Sequence, residues 1–173
     1  MKMTRREAIR NSLVTAATVG AALVLGRMGL MSQANATPAV LHHFPVVKTD
    51  AEWHKILTSK QYHILREAGT DPAYSEPYEA KGKGTYKCAA CDNPLYSADT
   101  QFDSGTGWPS FWQPISKTAV YTQADDSLGM SRDEVVCARC GSHLGHVFND
   151  GPKPTGLRYC MNATAMKFVP NKK

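Results

Sequence analysis

Five cysteines carry most of the chemistry open to this sequence, and their spacing sorts them. Cys88-Ala-Ala-Cys91 and Cys137-Ala-Arg-Cys140 are matching thiol pairs, whereas Cys160 stands alone. Two Cys-x-x-Cys knuckles supply four sulfurs, the ligand set of a closed tetrahedral zinc site with no open position for catalysis. Forty-five residues separate Cys91 from Cys137, so one zinc per chain would clasp early strands to late ones. The competing reading is two disulfides. A disulfide within Cys-x-x-Cys is usually a redox device, and two side by side would be odd, so zinc is preferred. Cys160 is then the sulfur with no structural task.

The neighbours of Cys160 suggest a use for it. In Gly-Leu-Arg-Tyr-Cys-Met-Asn (156–162), Arg158 and Asn162 lie two residues to either side, on the same face of an extended strand. A cation there favours the thiolate, and an amide can donate or accept hydrogen bonds. His143 and His146, three apart after the second knuckle, titrate near neutral pH and can move protons. Thiolate, cation, amide and imidazoles together make a site for nucleophilic chemistry. The bland alternative for a free cysteine is an inert, buried thiol.

The elements that must position these groups are short. Thr49-Asp-Ala-Glu52 predicts a capped helix running to Leu57, and Ser59 starts a second with Tyr62, Ile64 and Leu65 inward and Gly69 as its stop. Residues 71–84 are rich in Pro, Gly, Glu and Lys and read as irregular connection. Strands are expected at 84–88, 94–97, 119–122, 128–132, 134–137, 146–148, 157–161 and 165–169, with a turn at Asp125-Asp126. Many short strands parted by turn residues predict a mainly β, mostly antiparallel domain with helices at its N-terminal end.

Residues 1–36 have the three regions of an export segment. Thr-Arg-Arg begins a basic start, Leu13 to Leu25 is apolar and uncharged, and Ala34-Asn-Ala36 is a small-x-small cleavage site. The adjacent arginines resemble a twin-arginine signal, a route that exports proteins already folded. Folding around zinc before export would keep the four thiols from pairing in an oxidising compartment. The expectation is a cleaved export segment over 1–36, an extended leader over 37–48 and one domain over 49–170. The location is then outside the cytoplasm, in the periplasm, with no membrane attachment after cleavage. Residues 1–36 hold five basic residues and one acidic, so the rest has 15 basic and 14 acidic and a net charge near +1. That balance gives no reason to expect a nucleic-acid partner.

Gly-Trp-Pro-Ser-Phe (107–111), the two knuckles, His-Leu-Gly-His-Val-Phe (143–148) and the segment around Cys160 resemble the peptide-methionine (R)-S-oxide reductases of type B. The resemblance runs from about Trp53 to Val169. It implies two antiparallel β-sheets with short N-terminal helices and a structural zinc. It also implies that Cys160 attacks the sulfur of methionine-(R)-sulfoxide, free or in proteins, and becomes a sulfenic acid. His143 and His146 are the acids for the departing oxygen, with the labour undivided between them. Trp108, with Phe148 near it, would be the apolar wall for the substrate methyl group. Many such proteins carry a second cysteine just before that tryptophan; here the segment is Gly105-Thr-Gly107, and Thr106 cannot form a disulfide. The expectation is a one-cysteine cycle completed by a thioredoxin-like or small-molecule thiol, in a monomer. Two other readings use the same residues: a secreted zinc-ribbon interaction module with Cys160 buried, and a cysteine hydrolase using Cys160 and one histidine.

Overall fold

A computed structural model describes residues 42–77 and 82–171. The expected export segment, its cleavage site and leader residues 37–41 lie outside the described residues. Two capping boxes start the two helices. In α1 (Asp50–Ile56) the Thr49 side chain accepts from the Glu52 N–H at 3.3 Å, and the Glu52 carboxylate accepts from the Thr49 N–H at 2.7 Å. Thr58 and Gln61 repeat the exchange at the start of α2 (Ser59–Glu67). Each box satisfies backbone donors that a helix start otherwise leaves unpaired. The turn out of α2 is made by Ala68, in the left-handed region at φ 56°, one residue before the expected stop. Gly69 is needed for space instead: a Cβ there would lie 2.5 Å from the His63 ring. Tyr62, Ile64 and Leu65 are buried as expected, and α1 adds Trp53.

Two antiparallel sheets follow. The smaller contains β1 (Gly84–Cys88), β2 (Pro94–Ser97) and β9 (Met166–Pro170), in the order β2-β1-β9. The larger contains β3 (Gln101–Phe102), β4 (Ser110–Phe111), β5 (Val120–Asp125), β6 (Arg132–Cys137), β7 (His143–Phe148) and β8 (Arg158–Met161). Its order is β3-β4-β8-β7-β6-β5. Phe111 of the larger sheet joins the two: its ring stacks on Tyr96 at 4.4 Å and meets Tyr86 edge-on at 5.1 Å, both from the smaller sheet. Burying such rings supplies the main attraction between the layers. Helix α2 packs on β7 and on the short turn at 163–165, beneath the strands that carry the site residues.

Two expectations change. The strand expected at 128–132 is a 3₁₀ turn over Ser127–Gly129, and β6 starts only at Arg132. The Asp125 carboxylate accepts the Ser127 N–H at 3.0 Å and Gly129 sits at φ 69°, so the chain curls where alternation suggested extension. β3 and β4 were not foreseen, because two residues are too few to show a period. The end of the leader is mostly exposed but touches the second knuckle. The Val46 N–H donates to Arg139 O at 2.9 Å, the His42 ring stacks on Tyr121 at 4.4 Å, and Phe44 covers Gly141.

Candidate active site

One row across the larger sheet holds the reactive groups. Ser110 of β4 pairs with Cys160 of β8, Cys160 with His146 of β7, and His146 with Glu134 of β6. Residues directly opposite in an antiparallel pair point to the same face, so these four side chains share one surface. Arg158, two residues along β8, extends the same face. It donates to both Asp150 oxygens at 2.9 and 2.8 Å and lies 4.5 Å over the Phe148 ring. That bidentate grip fixes the guanidinium, whose charge favours the Cys160 thiolate.

A β-bulge brings the second histidine to this face. Val135 pairs with Gly145 but Val136 pairs with His143, so Leu144 is the extra residue. Without it, His143 and His146 would point to opposite faces; with it, their rings meet at 5.5 Å. Each imidazole is held by a carboxylate. His143 Nδ1 donates to Glu134 at 2.7 Å and His146 Nε2 to Asp125 at 2.9 Å. These contacts assign the protonated nitrogen of each neutral ring and leave His143 Nε2 and His146 Nδ1 for other work. His143 Nε2 is buried with no hydrogen-bond partner among the described residues. Burial lowers the pKa of His146 despite Asp125, and the charge of Arg132 adds to this. Asp125 is itself raised by burial. Its hydrogen bonds from Ser127 and His146, with the charge of Arg132, outweigh that and hold it well below the usual carboxylate range.

Cys160 is partly buried, and burial pushes its thiol above the ordinary value. The Arg158 charge opposes this, as do hydrogen bonds with Thr106, Arg158 and Ser110. Asn162 follows the last residue of β8, is buried, and continues the pairing with β7 through its N–H to the Leu144 carbonyl at 2.8 Å. Its side chain accepts the Asp71 N–H at 2.8 Å and donates to the Leu144 carbonyl at 3.2 Å, tying the bulge to the end of the nucleophile's strand. Trp108 is partly buried and donates from Nε1 to the Asp71 carbonyl at 2.8 Å. The buried Asp71 carboxylate in turn accepts from the Thr164 N–H at 2.9 Å and hydroxyl at 2.7 Å. Ser110, Glu134, Asp125 and Asp71 are site residues that sequence reasoning missed. Their partners are distant in the chain, and only the register places them.

The four knuckle cysteines are brought together as expected. Their sulfurs lie within 4.8 Å of one another, with Cys88 and Cys140 at 3.8 Å and Cys91 and Cys137 at 3.6 Å. These separations are too long for disulfides, and they match the edge of about 3.8 Å of a tetrahedron with metal–sulfur bonds of about 2.3 Å. Both knuckles close the same way: Asp92 N–H donates to Cys88 O at 3.0 Å and Gly141 N–H to Cys137 O at 2.8 Å, each from a left-handed residue. These four thiols can hold a metal ion; Cys160 is not among them.

A two-sheet β domain that sets one cysteine outside the metal clasp beside an arginine and an in-register imidazole has the parts that a cysteine-nucleophile enzyme needs. Comparison with known proteins narrows this. Residues 57–170 match the SelR domain. The chain is 54% identical over 127 residues to the peptide methionine sulfoxide reductase MsrB of Leptospira interrogans, spanning 73% of this chain and 97% of that protein. It is 55% identical over 126 residues to the Agrobacterium fabrum protein of that name (72% and 93% covered) and 56% over 124 to the Methanosarcina barkeri one (71% and 87%). The chain belongs to the SelR, or type B peptide methionine sulfoxide reductase, family.

Proposed function

We propose that this chain reduces methionine-(R)-sulfoxide, in proteins and as the free amino acid, to methionine, with Cys160 as nucleophile. The observation that carries this is the row Ser110–Cys160–His146–Glu134, which sets the one cysteine outside the metal clasp beside a carboxylate-held imidazole. Cys160 sulfur attacks the sulfoxide sulfur and the methionine S–O bond breaks. The protonated oxygen then bonds to the Cys160 sulfur as the transient S–S bond breaks, leaving a sulfenic acid and methionine. The sulfoxide loses its oxygen and two electrons' worth of oxidation; the cysteine gains both. The thiol proton passes to the departing oxygen through a free ring nitrogen of His146 or His143. Once it has taken up that proton, the buried His143 Nε2, which has no hydrogen-bond partner among the described residues, can donate to the substrate oxygen. Trp108, held by Asp71, and Phe148 form the apolar wall for the methyl group, and Arg158 favours the thiolate. Asn162 acts through position, fastening Leu144 and Asp71.

An external thiol, from a thioredoxin-like protein or a small molecule, then attacks the sulfenic acid with loss of water, and a second thiol frees Cys160. The metal of the four-cysteine clasp is one structural zinc: closed sulfur coordination offers no position for substrate. Residues 1–36 carry the protein out of the cytoplasm, where it repairs oxidised exported proteins as a monomer. Basic start, apolar run and small-x-small site support this.

The test offers separate R and S epimers with dithiothreitol and with a thioredoxin, following methionine released. Only the R epimer should turn over, and Cys160→Ser should abolish it. Without reductant, about one methionine per chain should appear, with Cys160 one oxygen heavier. An intramolecular disulfide, or full activity in Cys160→Ser, refutes the cycle.

A further inference from the structure

Ser142 follows the second knuckle, and its backbone is fixed by the Cys137 N–H, which donates to its carbonyl at 2.9 Å. Its side chain is fully buried. Arg66 Nη1, from the last turn of α2, donates to Ser142 Oγ at 3.2 Å and to the Cys140 carbonyl at 3.3 Å. Cys140 Sγ lies 3.2 Å from that same hydroxyl oxygen. The guanidinium is itself seated, with its carbon 4.7 Å over the ring of buried Trp53.

Protons decide what this arrangement can do. A guanidinium has donors and no acceptor, so Arg66 occupies a lone pair of Ser142 and cannot take its proton. A sulfur that binds a metal has given up its own proton, so Cys140 in the loaded clasp is an acceptor. The single hydroxyl proton of Ser142 is thus directed at Cys140. A hydroxyl that accepts from a cation is also polarised into a stronger donor. Cys137, in the same knuckle, has a comparable neighbour: Asn93 Nδ2 donates to the Ala119 carbonyl at 2.9 Å and lies 3.6 Å from Cys137 Sγ. Such donors matter because four thiolates around one divalent ion leave two negative charges unbalanced, and three of these four cysteines are buried. Away from water, only protein groups can offset that charge. Groups just outside a metal's ligands hold those ligands in place and tune the metal.

We propose that Ser142 donates the hydrogen bond that steadies the metal-bound Cys140 thiolate, and that Arg66 is the positioning residue that orients it. The inference rests on the clasp holding a metal and is independent of the reductase reading. It gives α2 a part in retaining the metal, since Arg66 lies one helical turn beyond the buried Tyr62.

The test loads the full chain with cobalt(II) in place of zinc and records the sulfur-to-metal charge-transfer bands. Removing a donor raises the energy of the sulfur electrons, so Ser142→Ala should move these bands to longer wavelength. In the zinc-loaded chain, the rate of zinc transfer to excess chelator should rise about tenfold. Arg66→Met should shift both readouts in the same direction. Because the arginine works through the hydroxyl, the double variant should release zinc within about twofold of Ser142→Ala alone. A general loosening of the fold would speed release without moving the bands. Arg66→Met also uncovers Trp53, so where that variant fails to fold, the Ser142→Ala spectrum decides. Unmoved bands in Ser142→Ala, or zinc release within about twofold of the parent's, overturn the proposal, as do fully additive effects in the double variant. A parent chain that binds no cobalt refutes the metal clasp and this role of Ser142 with it, while sulfoxide reduction is judged by its own assay.

Discussion

Gly145 offers the sharpest test of how the fold sets the distance between nucleophile and imidazole. It lies in β7 just after the bulge, opposite Met161 and one residue before His146. A Cβ built on it would stand 2.1 Å from the Cys160 carbonyl oxygen and 2.9 Å from Met161 Cα. Contacts of this kind do not fall below 3.0 Å, so Gly145→Ala requires β7 and β8 to part by about 0.9 Å. Both obstacles are backbone atoms, and no rotamer change relieves them. Overpacking of this kind costs about 1–3 kcal/mol, and at roughly 4 °C per kcal/mol for a domain of this size Tm should fall by about 4–12 °C. The separation opens between the pair that carries Cys160 and His146. A misplacement of about 1 Å is worth up to about 100-fold in rate, so kcat/KM for methionine-(R)-sulfoxide should fall by a factor of that order. The assay pairs a thermal melt with steady-state kinetics at a temperature where the variant is folded and its metal content equals the parent's. A variant within 2 °C of the parent Tm and within twofold in kcat/KM (both roughly the error of such assays) would refute the claim that close strand approach here positions the site.

Stripping the metal should leave no cooperative unfolding transition, because structural zinc contributes about 10–16 kcal/mol against a typical domain stability of about 5–15. The check is a melt with thiol titration: one fast-reacting cysteine when loaded and all five after chelation, with Cys91→Ser matching the stripped chain. Asp125 should shape the acid limb of stability. Its carboxyl is held below the ordinary range, so its contribution is present above the unfolded value of about 3.9 and is lost as pH falls through the lower folded value. Asp125→Asn should therefore melt lower than the parent at pH 7, with the gap closing as the pH approaches 2; a gap independent of pH would count against the ion-pair account.

Much of this site was legible from residue type and spacing, and the failures are as instructive. Paired knuckles identify a four-sulfur clasp whatever the intervening fold, because ligand geometry follows from Cys-x-x-Cys itself. The capping boxes at Thr49 and Thr58 are local exchanges, so the helix starts were readable as well. The partners of the Asn162 side chain were not readable, because the Asp71 N–H and the Leu144 carbonyl lie far away in the chain.

By itself, the sequence determined which sulfur was spare, which four would gather, and which cation lay beside the nucleophile, because these depend on separations of two or three residues. Only the tertiary structure decided that His143 and His146 share a face, since Leu144 bulges out of a ladder whose partner strand must be known. It alone set Glu134 and Asp125 behind the two rings and Ser110 across from Cys160. The physical reason is register. A one-residue slip between neighbouring strands reverses every side chain, and register follows from the whole pattern of burial across both sheets rather than from any short stretch of chain.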